Sequence, residues 1–196
     1  MTTTKPEPAR RMGPPGSENW HAMLDGAEDI LREEGHAELT SRRIAERIGV
    51  KQRLVYYYFH TMDDLVVALF RRLSERELKR LRDALNSPHS LREMWNTNVG
   101  STDARLISEF MALANRIADL RAEVIHFIEE SRDIEIEAIE AAVRRKANSN
   151  AIPPAALAIL ASSVALSLSR ERQLGVSSGH EVVLALIDAF LDEVDD

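Results

Sequence analysis

The chain has 196 residues, 44% hydrophobic and 29% charged, the make-up of one large folded domain or a small head on a larger body, not of a disordered segment. It contains no cysteine, which excludes disulfides, thiolate zinc sites, thiol nucleophiles and cysteine-held iron–sulfur clusters. The net charge of −7 is uneven: residues 1–85 hold 15 Lys and Arg against 14 Asp and Glu, and residues 86–196 hold 10 against 18. The acidity belongs to the second part, so a nucleic-acid partner for the first is not excluded.

Residues 1–17 carry Pro6, Pro8, Pro14, Pro15, Gly13 and Gly16 and read as a flexible basic tail. Lys5, Arg10 and Arg11 leave two readings open, an arm on DNA or an uninvolved terminus. No apolar run follows them, so no signal peptide is expected. The uncharged stretch from Ala147 to Ser169 is interrupted by Pro153 and Pro154 and is rich in Ala and Ser, so it does not read as a membrane span. A cytoplasmic protein with no membrane contact is expected.

Helical spacing then dominates. Trp20, Met23, Leu24, Ala27, Ile30 and Leu31 share one face, and Gly35 marks its end. Two short apolar segments occupy 41–48 and 52–59, and a long amphipathic helix runs from Thr61 to about Leu85, with Thr61 and Asp64 as a capping box. Asn86, Ser87 and Pro88 break it. A second capping box is expected at Ser90 and Glu93. Helices follow at about 103–117 and 119–147, with Asp119 as the expected cap of the latter. Pro153 and Pro154 open a helix that Gly175 closes, and Ser178 with Glu181 forms a third expected box for a last helix ending near Val194. No strand pattern is present. The fold class is all-α, divided as a tail (1–17), a helix-turn-helix head (18–60), a connecting helix (61–85) and a body (86–196).

The segment from Thr40 to Leu65 carries the chemistry. Ile44, Ile48, Val50, Val55 and Tyr58 fall where two steeply crossed helices share an apolar contact. Ala45 permits close approach, and Gly49 suits a tight turn. Lys51, Gln52, Arg53, Tyr56 and Tyr57 are then left on the outside of the second helix, and these side chains suit base edges and phosphates. From Lys51 to Thr61, a run that includes His60, no acidic residue occurs. Thr40, Ser41 and Arg42 open the first helix, where backbone N–H groups favour a phosphate. Thr40, Ser41, Arg42, Lys51, Gln52, Arg53, Tyr56, Tyr57 and His60 are the candidate DNA-binding residues. Spacing alone also fits a packed helical protein in which the Lys-Gln-Arg triplet is idle surface.

Thr40, Ile44-Ala45, Gly49-Val50, Tyr56-Tyr57-Tyr58-Phe59 and Asp64-Leu65 resemble the N-terminal domain of the tetracycline-repressor-like (TetR) family, over about residues 18–69. The resemblance implies a nine-helix homodimer whose first three helices bind DNA, with Thr40, Arg42, Gln52, Arg53, Tyr56 and Tyr57 at contact positions. Departures are present. Lys51 stands where a Ser usually caps the recognition helix, Arg53 where Gly or Pro is usual, Tyr58 where His is usual, and Met62 where a Lys usually grips a phosphate.

The body offers two further expectations. Ala155 to Ser169 carries no charge, and a helix without a polar face needs cover on more than one side. A second copy supplies it most simply, through helices at about 155–173 and 179–194, with Val182, Val183, Leu186, Ile187 and Phe190 as the apolar side of the latter; a monomer core helix is the alternative. Trp95, Asn98, Phe110, Met111, Asn115 and Phe127 are candidate effector-pocket residues, an apolar lining with placed polar groups. Plain core is the alternative for them.

No metal site and no cofactor are expected, since the six histidines show no His-x-x-x-His pairing. Gly175-Val176-Ser177-Ser178-Gly179 matches a nucleophile elbow, but that motif needs a preceding strand where this sequence has a helix. The expectation is a non-enzyme: a ligand-responsive regulator, most simply a repressor released from a palindromic operator by a small apolar or amphipathic effector. The alternative is a constitutive or protein-controlled DNA-binding regulator.

Overall fold

The structure, a computed structural model, describes residues 16–101, 103–146 and 152–195. The described residues form nine α-helices and no strand: α1 (Glu18–Glu33), α2 (Ser41–Ile48), α3 (Gln52–Tyr58), α4 (Met62–Leu85), α5 (Ser90–Ser101), α6 (Ala104–Ala114), α7 (Ala118–Lys146), α8 (Pro154–Gln173) and α9 (His180–Asp195). Most of the basic tail, residues 1–15, lies outside the described residues.

Helix ends follow local chemistry. Thr61 and Asp64 exchange hydrogen bonds, the Thr61 N–H donating to Asp64 Oδ2 at 2.9 Å and the Asp64 N–H to Thr61 Oγ1 at 3.0 Å, so this capping box forms as its sequence predicts. At the end of α8, Gly175 takes φ +83°. Its N–H bonds back to Arg172, and that of Val176 to Glu171, which satisfies carbonyls the helix leaves open. Three expected caps differ. The Glu93 N–H bonds to the His89 carbonyl, so Ser90 is the first helical residue of α5 and not its cap. Likewise Arg121 N–H bonds to Ile117, placing Asp119 inside the first turn of α7, and Val183 N–H bonds to Gly179, placing Ser178 in the turn before α9. In each case the backbone begins the helix one or two residues away from the polar side chain that marks it.

The chain divides into two compact units, with the boundary between Leu65 and Val66, inside α4. In the first unit Met23, Leu24, Ala27, Ile30 and Leu31 of α1 are buried with Ile44, Ala45, Val55, Tyr58 and Phe59. Trp20 stacks on Phe59 with ring centroids 5.8 Å apart. Arg43 and Arg47 bind the far end of α1: each reaches Glu34 Oε1 at 2.8 Å, and Arg47 also reaches Glu33 at 2.7 Å. These partners hold both glutamates below the usual carboxylate range, through the Arg47 hydrogen bond at Glu33 and the Arg43 hydrogen bond at Glu34.

Gly26 is buried where α1 meets α2, and a Cβ built there would lie 2.9 Å from Ile48 Cγ2. Alanine normally gains about 1 kcal/mol over glycine inside a helix, but overpacking costs roughly 1–3 kcal/mol. Gly26→Ala is therefore expected to lower the chain's thermal stability, and a melting curve that rises would show that α2 gives way freely.

In the second unit Leu78, Leu81, Trp95, Ile134, Ala138, Ala158 and Leu168 belong to one buried cluster. Arg71 pairs with Glu123 of α7 at 2.6 Å and Arg82 with Glu130, whereas Arg80 and Lys79 pair within α4 with Glu77 and Asp83. Arg92 reaches Asp188 at 3.1 Å and Asp192 at 2.6 Å, tying α5 to α9. The charge-free run of α8 turns Ala158, Ala165, Leu168 and Ser169 inward but leaves Ile159 and Leu160 exposed. On α9 Val183, Leu184 and Ile187 pack on the core, while Val182, Leu186 and Phe190 face outward, Leu186 at 71% exposure. No helix among the described residues is long and apolar enough to cross a membrane.

Candidate nucleic-acid interface

The turn between α2 and α3 begins with Gly49 at φ +70°, a backbone conformation that costs a side chain about 1–2 kcal/mol. The Val50 N–H returns to Ala45 at 2.9 Å, which closes α2 tightly. Thr40 caps α2, its Oγ1 accepting from the Arg43 N–H at 3.2 Å. With Ile44, Val55 and Tyr58 buried, the orientation of α3 is fixed, and the Tyr58 hydroxyl accepts from Ser17 Oγ at 3.0 Å.

The remaining face of α3 is open. Lys51, Gln52, Arg53 and His60 are exposed, and Tyr56 and Tyr57 are 48% and 47% exposed. Lys51 and Arg53 pair with no carboxylate among the described residues, and no acidic side chain lies between Lys51 and Thr61. A guanidinium, an amide and two phenols thus share the open face of α3, with the Lys51 ammonium at its N-cap. Arg and Lys suit guanine edges and phosphates, Gln suits adenine, and Tyr suits phosphate and the thymine methyl.

The α2 candidates are differently placed. Arg42 is exposed but held by Glu46 at 2.8 Å, and this hydrogen bond raises its affinity for its proton further. The pairing was legible as an i,i+4 charge pair. Ser41 is buried at 4%: its hydroxyl accepts from Gln52 Nε2 at 2.8 Å and donates to Tyr56 Oη at 3.0 Å.

The effector candidates are spread through the body. Trp95 is buried in the main cluster. Phe110 lies against Phe70 at 5.1 Å, and Phe127 meets the same ring at 6.0 Å. Asn98 Nδ2 donates to Glu135 Oε1 at 2.9 Å. Met111 is 47% exposed on α6, and Asn115, also exposed, ends that helix. One cleft of about 530 Å³ is lined by Leu85, Ser87, Pro88, Ser90, Ala141 and Arg144 and touches none of the six candidates. A second, of about 300 Å³ between the end of α6 and the start of α7, includes Asn115 alone of them.

Glu135 is a buried carboxylate that sequence reading missed, although it shares a helix face with Ala138, Ile139 and Ala142. Burial pushes its carboxyl above the usual range, against the pull of the Asn98 hydrogen bond and Arg132. A raised folded value means a contribution that is full at low pH and lost as pH rises through that value. Glu135→Gln, which keeps the acceptor for Asn98, is expected to raise the melting temperature at pH 8. The gain should vanish below about pH 4, where both states are protonated. An equal gain at both pH values would remove ionisation as its cause.

Among the described residues no three His, Asp or Glu side chains gather as a metal would need. His180 Nε2 lies 2.9 Å from Glu171 Oε2, a carboxylate also taken by Ser167 Oγ at 3.1 Å. That histidine thus fastens α9 to the end of α8, and an α-helix rather than a strand precedes Ser178.

Comparison with known proteins agrees with this geometry. Residues 23–69 match the family described as bacterial regulatory proteins, tetR family. No curated protein matches the chain. A TetR transcription regulator from Haloarcula marismortui superposes with a TM-score of 0.74 at 18% identity, over 89% of this chain and 96% of the other. A regulatory protein of the tetR family from Rhodococcus RHA1 gives 0.68 at 16% identity, over 91% and 97%. The fatty acid degradation regulator FadR from Bacillus halodurans gives 0.65 at 14% identity, over 81% and 86%. Such identities speak for the fold, and the matched segment runs from α1 into α4. Residues 23–69 thus match the head of the bacterial regulatory proteins of the tetR family, and the described residues share the all-helical fold of solved regulators of that family.

Proposed function

We propose that this chain is a DNA-binding transcriptional regulator of the tetR family, a cytoplasmic homodimeric repressor released from a palindromic operator when a small apolar or amphipathic effector enters its body. The observation that carries the DNA half of this reading is the acid-free face of α3, with Gln52, Arg53, Tyr56 and Tyr57 exposed together and Lys51 exposed at its N-cap. Thr40 and Arg42 flank it at the start of α2, where the helix N-terminus favours a phosphate, and His60 closes the run. Two such helices related by a two-fold axis would enter successive major grooves about 34 Å apart. The outward Ile159 and Leu160 of α8, with Val182, Leu186 and Phe190 of α9, supply the apolar surface for the second copy.

Effector control rests on α4, one continuous helix from Met62 to Leu85 that begins in the head unit and continues in the body. Arg71 and Arg82 fasten it to α7, so an effector that displaces α7 would draw α4 with it and change the spacing of the two heads. The shift is limited by how differently the effector binds the two states. The test is a thermal-shift screen of apolar and amphipathic compounds, followed by release of labelled operator by each stabilising compound. At least one compound that does both supports the reading.

A second reading, a regulator without a small effector, is favoured by the packing of the body. Trp95 and Phe110 are buried in protein contacts, and neither cleft gathers the effector candidates. A screen that stabilises nothing while DNA binding persists would support it.

A further inference from the structure

Ser41 stands at the first residue of α2, yet its hydroxyl is buried and points across to α3, where it joins two exposed side chains. It accepts from Gln52 Nε2 at 2.8 Å and donates to Tyr56 Oη at 3.0 Å. A serine hydroxyl has one proton and two lone pairs; here the proton goes to Tyr56 and one lone pair takes a Gln52 N–H. The Gln52 amide has two N–H donors and one carbonyl. With one N–H held by Ser41, the other N–H and the Oε1 beside it remain for a ligand. The phenol of Tyr56, its oxygen already accepting, has its own proton free to donate.

We propose that Ser41 is a positioning residue for sequence reading: it sets the Gln52 amide to present an acceptor and a donor side by side, the pattern that adenine N6 and N7 complement in the major groove. The same hydroxyl aims the Tyr56 proton away from α2, toward a phosphate. Serine here does not touch DNA; it acts through two side chains that do. Preorganisation is the physical gain, since a free glutamine would lose rotamer freedom and choose an amide orientation on binding. Buried hydrogen-bonded hubs of this kind specify one arrangement because an unpaired member costs more than a paired one contributes. This inference rests on the reading of α3 as the DNA-contacting helix.

The experiment is selection from a randomised duplex pool with the full chain, for wild type, Ser41→Ala, Gln52→Ala and the double variant, with melting curves for each. Wild type should show an adenine preference at one position in each half-site. Both single variants should lose it by roughly tenfold or more, the value of one bidentate base contact, and the double variant should lose no more than either. Ser41→Cys, which keeps the side-chain shape with a somewhat larger atom but is a poor acceptor, replaces the alanine variant if that one melts too early, and should lose the same preference. An unchanged preference in the Ser41 variants would overturn the proposal. So would a uniform weakening on all duplexes, which would make Ser41 a phosphate contact. A preference that survives Gln52→Ala would overturn it too, while leaving DNA binding intact. A wild type with no preference at any position would instead remove the reading of α3 itself, and this inference with it.

Discussion

Leu186→Asp is expected to give a monomer in sedimentation or light scattering, and to weaken binding to a two-half-site operator by about a hundredfold or more. Leu186 is 71% exposed in the isolated chain and lies in line with Val182 and Phe190, outside the protomer's own core. The substitution therefore leaves the fold almost untouched, and the melting temperature extrapolated to low concentration should barely move. In a two-fold seam each change occurs twice. Two leucines lose burial of about 1.5–3 kcal/mol each, and two carboxylates face each other in apolar surroundings, where neutralisation or exposure is the cheaper outcome. Loss of the dimer removes the second half-site contact, and such linkage multiplies affinity by roughly 10²–10⁴. A variant that remains dimeric and binds normally would place the seam away from α9.

Arg53→Ala is expected to cut the ratio of specific to random-sequence binding by roughly tenfold, the value of one bidentate arginine–guanine contact. The useful control is Arg47→Ala. Both remove one positive charge from the head, but Arg47 is held by Glu33 and Glu34, whereas Arg53 is exposed and pairs with no described carboxylate. Arg47→Ala should therefore lower the melting temperature and leave discrimination unchanged, and Arg53→Ala should do the reverse. Equal effects of the two on binding would mean that general charge, not the geometry of α3, governs affinity. The comparison is made by titration against operator and scrambled duplex at one salt concentration, because phosphate contacts vary steeply with salt.

The parts of the molecule that were legible beforehand are those fixed by neighbours in sequence. Gly49 between two apolar segments and the Thr61 and Asp64 box each rest on a few consecutive residues, and each holds in the fold. Of the inward set Ile44, Ile48, Val50, Val55 and Tyr58, Ile44, Val55 and Tyr58 are buried, while Ile48 and Val50 are half-buried. The all-helical class followed from the same periodicity. Ser90 and Ser178 misled because a polar residue near a helix start competes with its neighbours for the cap, and the backbone decided between them by one residue. On α6 the difficulty was different. Leu106 and Phe110 point inward while Ile107 and Met111 point out, so the helix is apolar on both sides and spacing could not choose a face. Ser41 shows the limit most plainly. As a helix-opening serine it reads as a phosphate ligand, and only the crossing of α2 and α3 brings its hydroxyl between Gln52 and Tyr56.

Everything proposed for the head depends on its reading DNA sequence through α3. The most direct measurement is a fluorescence-anisotropy titration of the full chain against the duplex upstream of its own gene, with excess random competitor, at two salt concentrations. If α3 reads sequence, binding saturates, survives the competitor, weakens as salt rises, and loses its advantage over random duplex in Arg53→Ala. Binding that the competitor abolishes, there and on duplexes recovered from a random pool, would contradict that reading and leave Lys51, Gln52 and Arg53 as ordinary solvent-facing surface.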